Sequence, residues 1–172
     1  MKRKKLSLEE EIIFKMDDPA LSAGAIVGMI MMSGNINGRD RDGRTYLMNA
    51  ISMSRTDIAY NLIKNGADVN LRDNDDFTAA HVCVMCLGKE DALKVMSWLK
   101  DHGADINAVD CFGNTPLMRI NDVRKLSLAV ELIKSFGADV SVKNNYGMSA
   151  KDLFGAYPEV MDVINAVESE EH

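Results

Sequence analysis

The sequence predicts an all-α solenoid of stacked helix pairs joined by β-turn hairpin loops. A tight turn that runs into a helix recurs along the chain. Its fullest copy is Asp110-Cys111-Phe112-Gly113-Asn114-Thr115-Pro116-Leu117. Upstream stand Asp40-Arg41-Asp42-Gly43-Arg44-Thr45-Tyr46-Leu47 and Asp73-Asn74-Asp75-Asp76-Phe77-Thr78-Ala79-Ala80, and downstream Asn144-Asn145-Tyr146-Gly147-Met148-Ser149-Ala150. A second marker, Asn65-Gly66-Ala67-Asp68-Val69-Asn70, returns as His102-Gly103-Ala104-Asp105-Ile106-Asn107 and Phe136-Gly137-Ala138-Asp139-Val140-Ser141, with a reduced copy at Ser33-Gly34-Asn35-Ile36-Asn37. Both markers step by 33, 37 and 34 residues, from Thr45 to Thr78, Thr115 and Ser149 and from Asn37 to Asn70, Asn107 and Ser141. Two independent markers with one period identify a repeat protein.

Each turn has a local physical reason. Gly113 supplies a backbone position open to positive φ, Thr115 caps a helix, and Pro116 occupies its first position, where no amide is needed. The period and the Thr-Pro-Leu turn make the chain resemble the ankyrin-repeat family over roughly residues 34–165. That resemblance implies a binding scaffold, not a reaction. Some residues depart from the family pattern. Met48 and Met118 stand where the family's histidine is usual, and only His81 keeps it. Asp76 replaces the turn glycine, and the third repeat carries four extra residues, 25 from Thr78 to Gly103 against 21 from Thr45 to Gly66.

The elements follow in order. Residues 1–36 read as an N-terminal helical cap repeat, 37–148 as three repeats, 149–167 as a terminal cap repeat and 168–172 as a frayed acidic tail. Ser7 with Glu10 is a capping box for a helix over 8–16. Asp18 and Pro19 are expected to open the next helix, which ends at Gly34. Helices are expected over 45–53 and 56–64, 79–87 and 91–100, 116–121 and 125–135, and 150–154 and 159–167. Gly66 closes the first pair as a left-handed residue. Lys64, Lys100 and Lys134 oppose the helix dipole in each last turn. The extra residues are expected around Leu87-Gly88-Lys89, and Trp98 is expected to pack on the following repeat.

A net charge of −6 argues against duplex nucleic acid as the main ligand, because phosphate recognition needs a cationic footprint. The basic start, Lys2 to Lys5, is followed by Leu6-Ser7-Leu8-Glu9 and not by an apolar run, so it reads as a solvated terminus and not as an export signal. No apolar stretch is long enough for a membrane span. Three cysteines without a disulfide spacing suit a reducing, cytoplasmic setting.

Candidate chemistry is sparse. Cys83 and Cys86 form a C-x-x-C, but inside a helix, and Cys83 aligns with the small slot held by Ala50; packing is the expectation. His81 has no nucleophile and orienting acid to serve, so it is read as structural. The run Asp73-Asn74-Asp75-Asp76 lacks the late glutamate of a calcium loop, since Val84 stands there. Many of the 12 methionines lie on helices, where gap-filling is the usual use. No cofactor, metal or catalytic residue is expected.

The turn tips carry the recognition reading. In a solenoid they project from a rigid scaffold. They comprise Arg39, Arg41, Asp42 and Arg44; Arg72, Asn74, Asp75 and Phe77; Val109, Cys111, Phe112 and Asn114; and Lys143, Asn145, Tyr146 and Met148. Arginine and aromatic side chains favour interface hot spots. Ser52, Met53, Met85, Asp122 and Val123, at the ends of first helices, extend this concave face. A free monomer binding another protein is expected. A short acidic chain of this kind resembles bacterial ankyrin proteins that act as immunity factors against a toxin; an adaptor or scaffold subunit is the alternative.

Overall fold

Each recurring turn does start a helical unit, and a computed structural model describes residues 6–170 of the chain. The basic residues 2–5 and the last two residues lie outside the described residues. Helix α1, Leu8–Met16, begins on the capping box: the Glu10 amide donates to Ser7 Oγ at 3.2 Å and the Ser7 amide to Glu10 Oε2 at 2.9 Å. Helix α2, Ala23–Ser33, starts later than expected. Asp18 spends its carboxylate on the Ala20 amide at 2.9 Å, holding Pro19 in a turn, and Ser22 caps the helix instead.

The first repeat pairs α3, Tyr46–Ser52, with α4, Thr56–Lys64; the next pairs α5, Ala79–Cys86, with α6, Lys89–Asp101. The four extra residues do not enlarge the loop. They lengthen the second helix, since α6 has 13 residues and α4 has 9.

The fourth unit departs furthest from expectation. Its first helix shrinks to a 3-10 turn, Leu117–Arg119, and Ile120 is extended at φ −78° and ψ 96°. A second 3-10 turn, Val123–Lys125, leads into α7, Leu126–Glu131, which ends in a π-turn, Leu132–Phe136. Register explains the unwinding. A continued helix would put Ile120 in the small slot of Ala50 and Cys83, and Asn121 in the apolar slot of Ile51 and Val84, all of them fully buried. By unwinding, the chain buries Ile120 and leaves Asn121 exposed.

The last unit is α8, Ala150–Phe154, and α9, Pro158–Glu170. Residues 168–170 therefore continue a helix and do not fray as a tail, and Lys151 pairs with Glu168 at 2.8 Å.

First helices stack on first helices and second on second, and one apolar cluster runs from Ile12 to Ile164. Trp98 packs backwards, not forwards: its ring lies 4.8 Å from Tyr60 of the preceding repeat, tilted by 52°. Two polar ladders tie the units. In one, Asn70 Nδ2 donates to Gly103 O at 2.9 Å and Asn70 Oδ1 accepts the Asp105 amide at 2.8 Å; Asn107 repeats this towards Gly137 and Asp139. The residues that set the repeat spacing in the sequence are thus the rungs between repeats. At the N-terminal end α2 has no charged residue; its own Met32 is 90% exposed, and Leu8 of α1 is 54% exposed.

Candidate partner-binding face

The second ladder builds the hairpin tips. In each hairpin one side-chain oxygen accepts two amides of its own turn: Asp40 from Asp42 and Arg44, Asp73 from Asp75 and Phe77, Asp110 from Phe112 and Asn114, Asn144 from Tyr146 and Met148. One amide then crosses to the preceding hairpin, from Asn74 to Asp42 O, from Cys111 to Asp75 O and from Asn145 to Phe112 O, at 3.0 to 3.1 Å. The tips are fixed before any partner arrives.

The expected tip residues divide by what they touch. Arg39 donates to Gly43 O and Arg72 O, and Arg72 donates to Val109 O, so both clamp neighbouring hairpins. Asn74 and Asn145 donate to Arg41 O and Cys111 O, each at 3.1 Å. Asn114 accepts from Asn144 at 2.8 Å. Arg41 pairs with Glu10 of α1, and Arg44 faces the buried Asp73 at 3.6 Å. Phe77 is half-buried, its ring 5.6 Å from His81. Asp42, Asp75 and Cys111 are exposed at the tips. Phe112, Tyr146 and Met148 are 45%, 72% and 38% exposed. Below them Met85 and Val123 are 44% and 60% exposed, with Ser52, Met53 and Asp122 half-buried.

Sequence reasoning missed Arg119. Its Nε donates to Asp110 Oδ2 and its Nη2 ion-pairs with the same carboxylate, which is fully buried. The guanidinium lies between two rings, 5.0 Å from the Phe77 centroid and 5.3 Å from Phe112. A cation held between aromatic faces rigidifies both. The signal was present: Asn49 stands at the same place after its hairpin and donates to Asp40 Oδ2 at 2.9 Å. In these two hairpins a polar side chain nine residues after the aspartate anchors the tip, whereas nine residues after Asp73 stands Val82.

His81 lies under this cluster, fully buried. Its Nδ1 accepts the Thr78 amide at 3.2 Å, which leaves Nε2–H to donate to Asn114 O at 3.0 Å in the next repeat. Burial holds its pKa below the usual histidine range. Cys83 donates to Ala92 O at 3.3 Å, and burial pushes its thiol pKa far up. Both residues are spent on packing. Among the described residues no cluster of three His, Cys, Asp or Glu is placed to hold a metal ion. Nor is any described helix long and apolar enough to cross a membrane.

A model of ankyrin repeats in three copies matches residues 20–110 and 58–144. The chain belongs to the ankyrin-repeat family. It is 35% identical over 114 residues to an ankyrin repeat-containing protein, P1E11.10, of Schizosaccharomyces pombe, covering 64% of this chain and 52% of that protein. It is 34% identical over 115 residues to neurogenic locus notch homolog protein 1 of Xenopus tropicalis, covering 66% of this chain and 4% of that protein. The Danio rerio homolog is 32% identical over 145 residues, covering 83% of this chain and 6% of its own length. The chain thus spans about half of the yeast relative and a small part of the notch proteins. Ankyrin repeats are protein–protein interaction modules, and these relatives carry no enzyme names.

Proposed function

We propose that this chain binds one partner protein on its concave face and hairpin tips and acts by steric occlusion, without catalysis. The observation that carries this reading is the fixed set of tips that still presents Phe112, Tyr146 and Met148 to solvent. A preorganised surface loses little conformational entropy on docking, so contact area converts efficiently into affinity. Asp42, Asp75 and Cys111 complete the outward-facing part of the surface; Arg39, Arg72, Asn74 and Asn145 act by holding it in place. An inhibitor of a toxin or another enzyme is the reading that best suits a rigid binder of this kind.

The test is capture of the partner from the native cell, with wild-type protein and with Phe112→Ala/Tyr146→Ala. The expected result is one stoichiometric partner whose activity is abolished by wild type and spared by the variant, while the variant keeps its circular dichroism. A partner whose activity survives binding would make the chain an adaptor. Equal capture by the variant would remove the tips from the interface.

A further inference from the structure

The N-terminal end of the stack is open. Each later helix pair is covered on this side by the pair before it, whereas the outer side of α1 and α2 is covered by none of the described residues. The terminal units of a solenoid need a polar outer side for solubility. At the other end α9 exposes Glu159, Asp162 and Asn165. Helix α2 instead exposes Gly24, Ala25, Gly28, Met31 and Met32, and α1 beside it exposes Phe14 by 75%. The two glycines serve nothing inside the monomer. Both are helical, and a Cβ on either would meet no atom of a neighbouring element within 4 Å. Glycine costs a helix stability relative to alanine, and what it permits is the close approach of another backbone.

The order of residues makes this face complementary to itself. Residues four apart share one side of a helix. Laid antiparallel on its own copy about Gly28, α2 sets Met32 over Gly24 and Met31 over Ala25, a large side chain over a small one at each place, and does so twice. No charge on α2 opposes the contact. The same two-fold axis lays α1 antiparallel on α1. The cleft between the two helices is lined by Leu8, Ile12, Met29 and Met32, and also by Glu11 and Lys15. Glu11 and Lys15 are exposed, one turn apart, and neither has an ion-pair partner among the described residues. In the antiparallel arrangement Glu11 of each copy meets Lys15 of the other, so the charges complement each other as the shapes do.

We infer that the open face of α1 and α2 is covered by a second copy of this chain, in a two-fold dimer that crosses at Gly28. This departs from the expected free monomer. The contact uses the same patch on both copies, so assembly closes at two. It is one helix pair wide, as each contact between repeats is, and gives a weak, concentration-dependent dimer. It uses neither Phe112 nor Tyr146 and stands independently of the partner-binding reading.

Sedimentation equilibrium of the full chain from about 1 μM to about 200 μM tests this, since a weak dimer dissociates within that range. The mass should rise from that of a monomer to that of a dimer and no further. Met32→Lys, at a position 90% exposed, should keep the circular dichroism and weaken the dimer at least about tenfold. Gly24→Ala/Gly28→Ala separates the two uses of glycine: it should raise the thermal midpoint of the dilute protein by roughly a few degrees and still weaken the dimer. Glu11→Lys and Lys15→Glu should each weaken it, and the double swap should restore it. Phe112→Ala/Tyr146→Ala should dimerise as wild type does. A monomer at every concentration, growth beyond two copies, a dimer indifferent to Met32→Lys, or a double swap as weak as the single changes would overturn the inference. So would a dimer lost with Phe112 and Tyr146, which would move the contact to the tips.

Discussion

The tightest constraint at the scale of single residues links a turn position to the hairpin that follows it. Gly43 and Gly113 both have φ of +77°, and a Cβ on either would sit 2.5 or 2.7 Å from Oδ1 of Asn74 or Asn145. At the second hairpin the turn residue is Asp76, left-handed at φ +62°, and the residue it faces is Cys111 in place of asparagine. Glycine is thus matched with asparagine, and a side chain with the shorter cysteine. Asp76→Gly should stabilise the fold by about 1 kcal/mol, by removing a left-handed strain. Cys111→Asn alone should destabilise it, and the pair together should exceed the sum of the two. A double-mutant cycle from urea unfolding measures the coupling, and simple additivity would refute the match. His81 makes a second prediction. Its pKa is lowered by burial, so the unfolded chain binds a proton more readily than the folded one. Stability is then complete above about pH 6.5 and is lost as pH falls below it. Carboxylates with lowered pKa, such as Asp57, Asp139 and Asp152, lose their share only below the usual carboxylate range. The urea midpoint should therefore drop between about pH 7 and about pH 5.5, and His81→Gln should flatten that slope. A variant as steep as wild type would assign the slope to another group.

Among the elements, those with their own caps were legible in the sequence. Ser7, Thr45, Thr78 and Ser149 each sit at the expected helix start, because a cap is a contact within three residues. The failures came from contacts that span repeats. The unwinding at Ile120 follows from slots defined by α5 and α8, and Arg119 gains its meaning only when Phe77 and Phe112 are brought to either side of it. The π-turn is the other case. From the last helical leucine to the following glycine, Leu62 to Gly66 and Leu99 to Gly103 span four residues, but Leu132 to Gly137 spans five. One inserted residue has widened the turn, and the closing bond runs from the Ala138 amide to Leu132 O at 3.0 Å, where Ala67 reaches Leu62 O and Ala104 reaches Leu99 O. Single-residue insertions commonly appear as such bulges. Deleting Ser135 should restore the ordinary closure and preserve the fold, with a thermal midpoint within a few degrees of wild type, since a change of about 1 kcal/mol moves it by that much. Aggregation or loss of cooperative unfolding would mean that the bulge, with Lys100 donating to Phe136 O at 3.1 Å, is required for packing.

For the whole molecule, stability is a chain of neighbour interfaces, because each unit touches only the units beside it. The asparagine ladder is one polar part of that coupling, beside the hairpin ladder, and has a direction. Asn37, Asn70 and Asn107 each receive an amide from the following repeat, whereas at the fourth place Ser141 turns back and donates its hydroxyl to Asp139 at 2.6 Å. Asn107→Ala removes both rungs between the third and fourth units, a loss of about 1–3 kcal/mol for two hydrogen bonds. The apolar contact of α6 with α7 remains, so the interface weakens without vanishing. Trp98, the single tryptophan, lies on α6 and packs against Tyr60 on α4, so its fluorescence reports the N-terminal side of this interface. Far-UV circular dichroism reports all helices together. In wild type the two signals should unfold along one urea curve. In Asn107→Ala the circular dichroism should begin to fall first, as the fourth and terminal units separate from a third unit whose tryptophan environment is still intact. Ser141→Ala should leave both curves coincident, because Ser141 contributes no rung to a neighbour. Coincident curves in Asn107→Ala would show that apolar burial and the hairpin ladder couple the units without these rungs, and that the asparagine ladder serves to set register between hairpins.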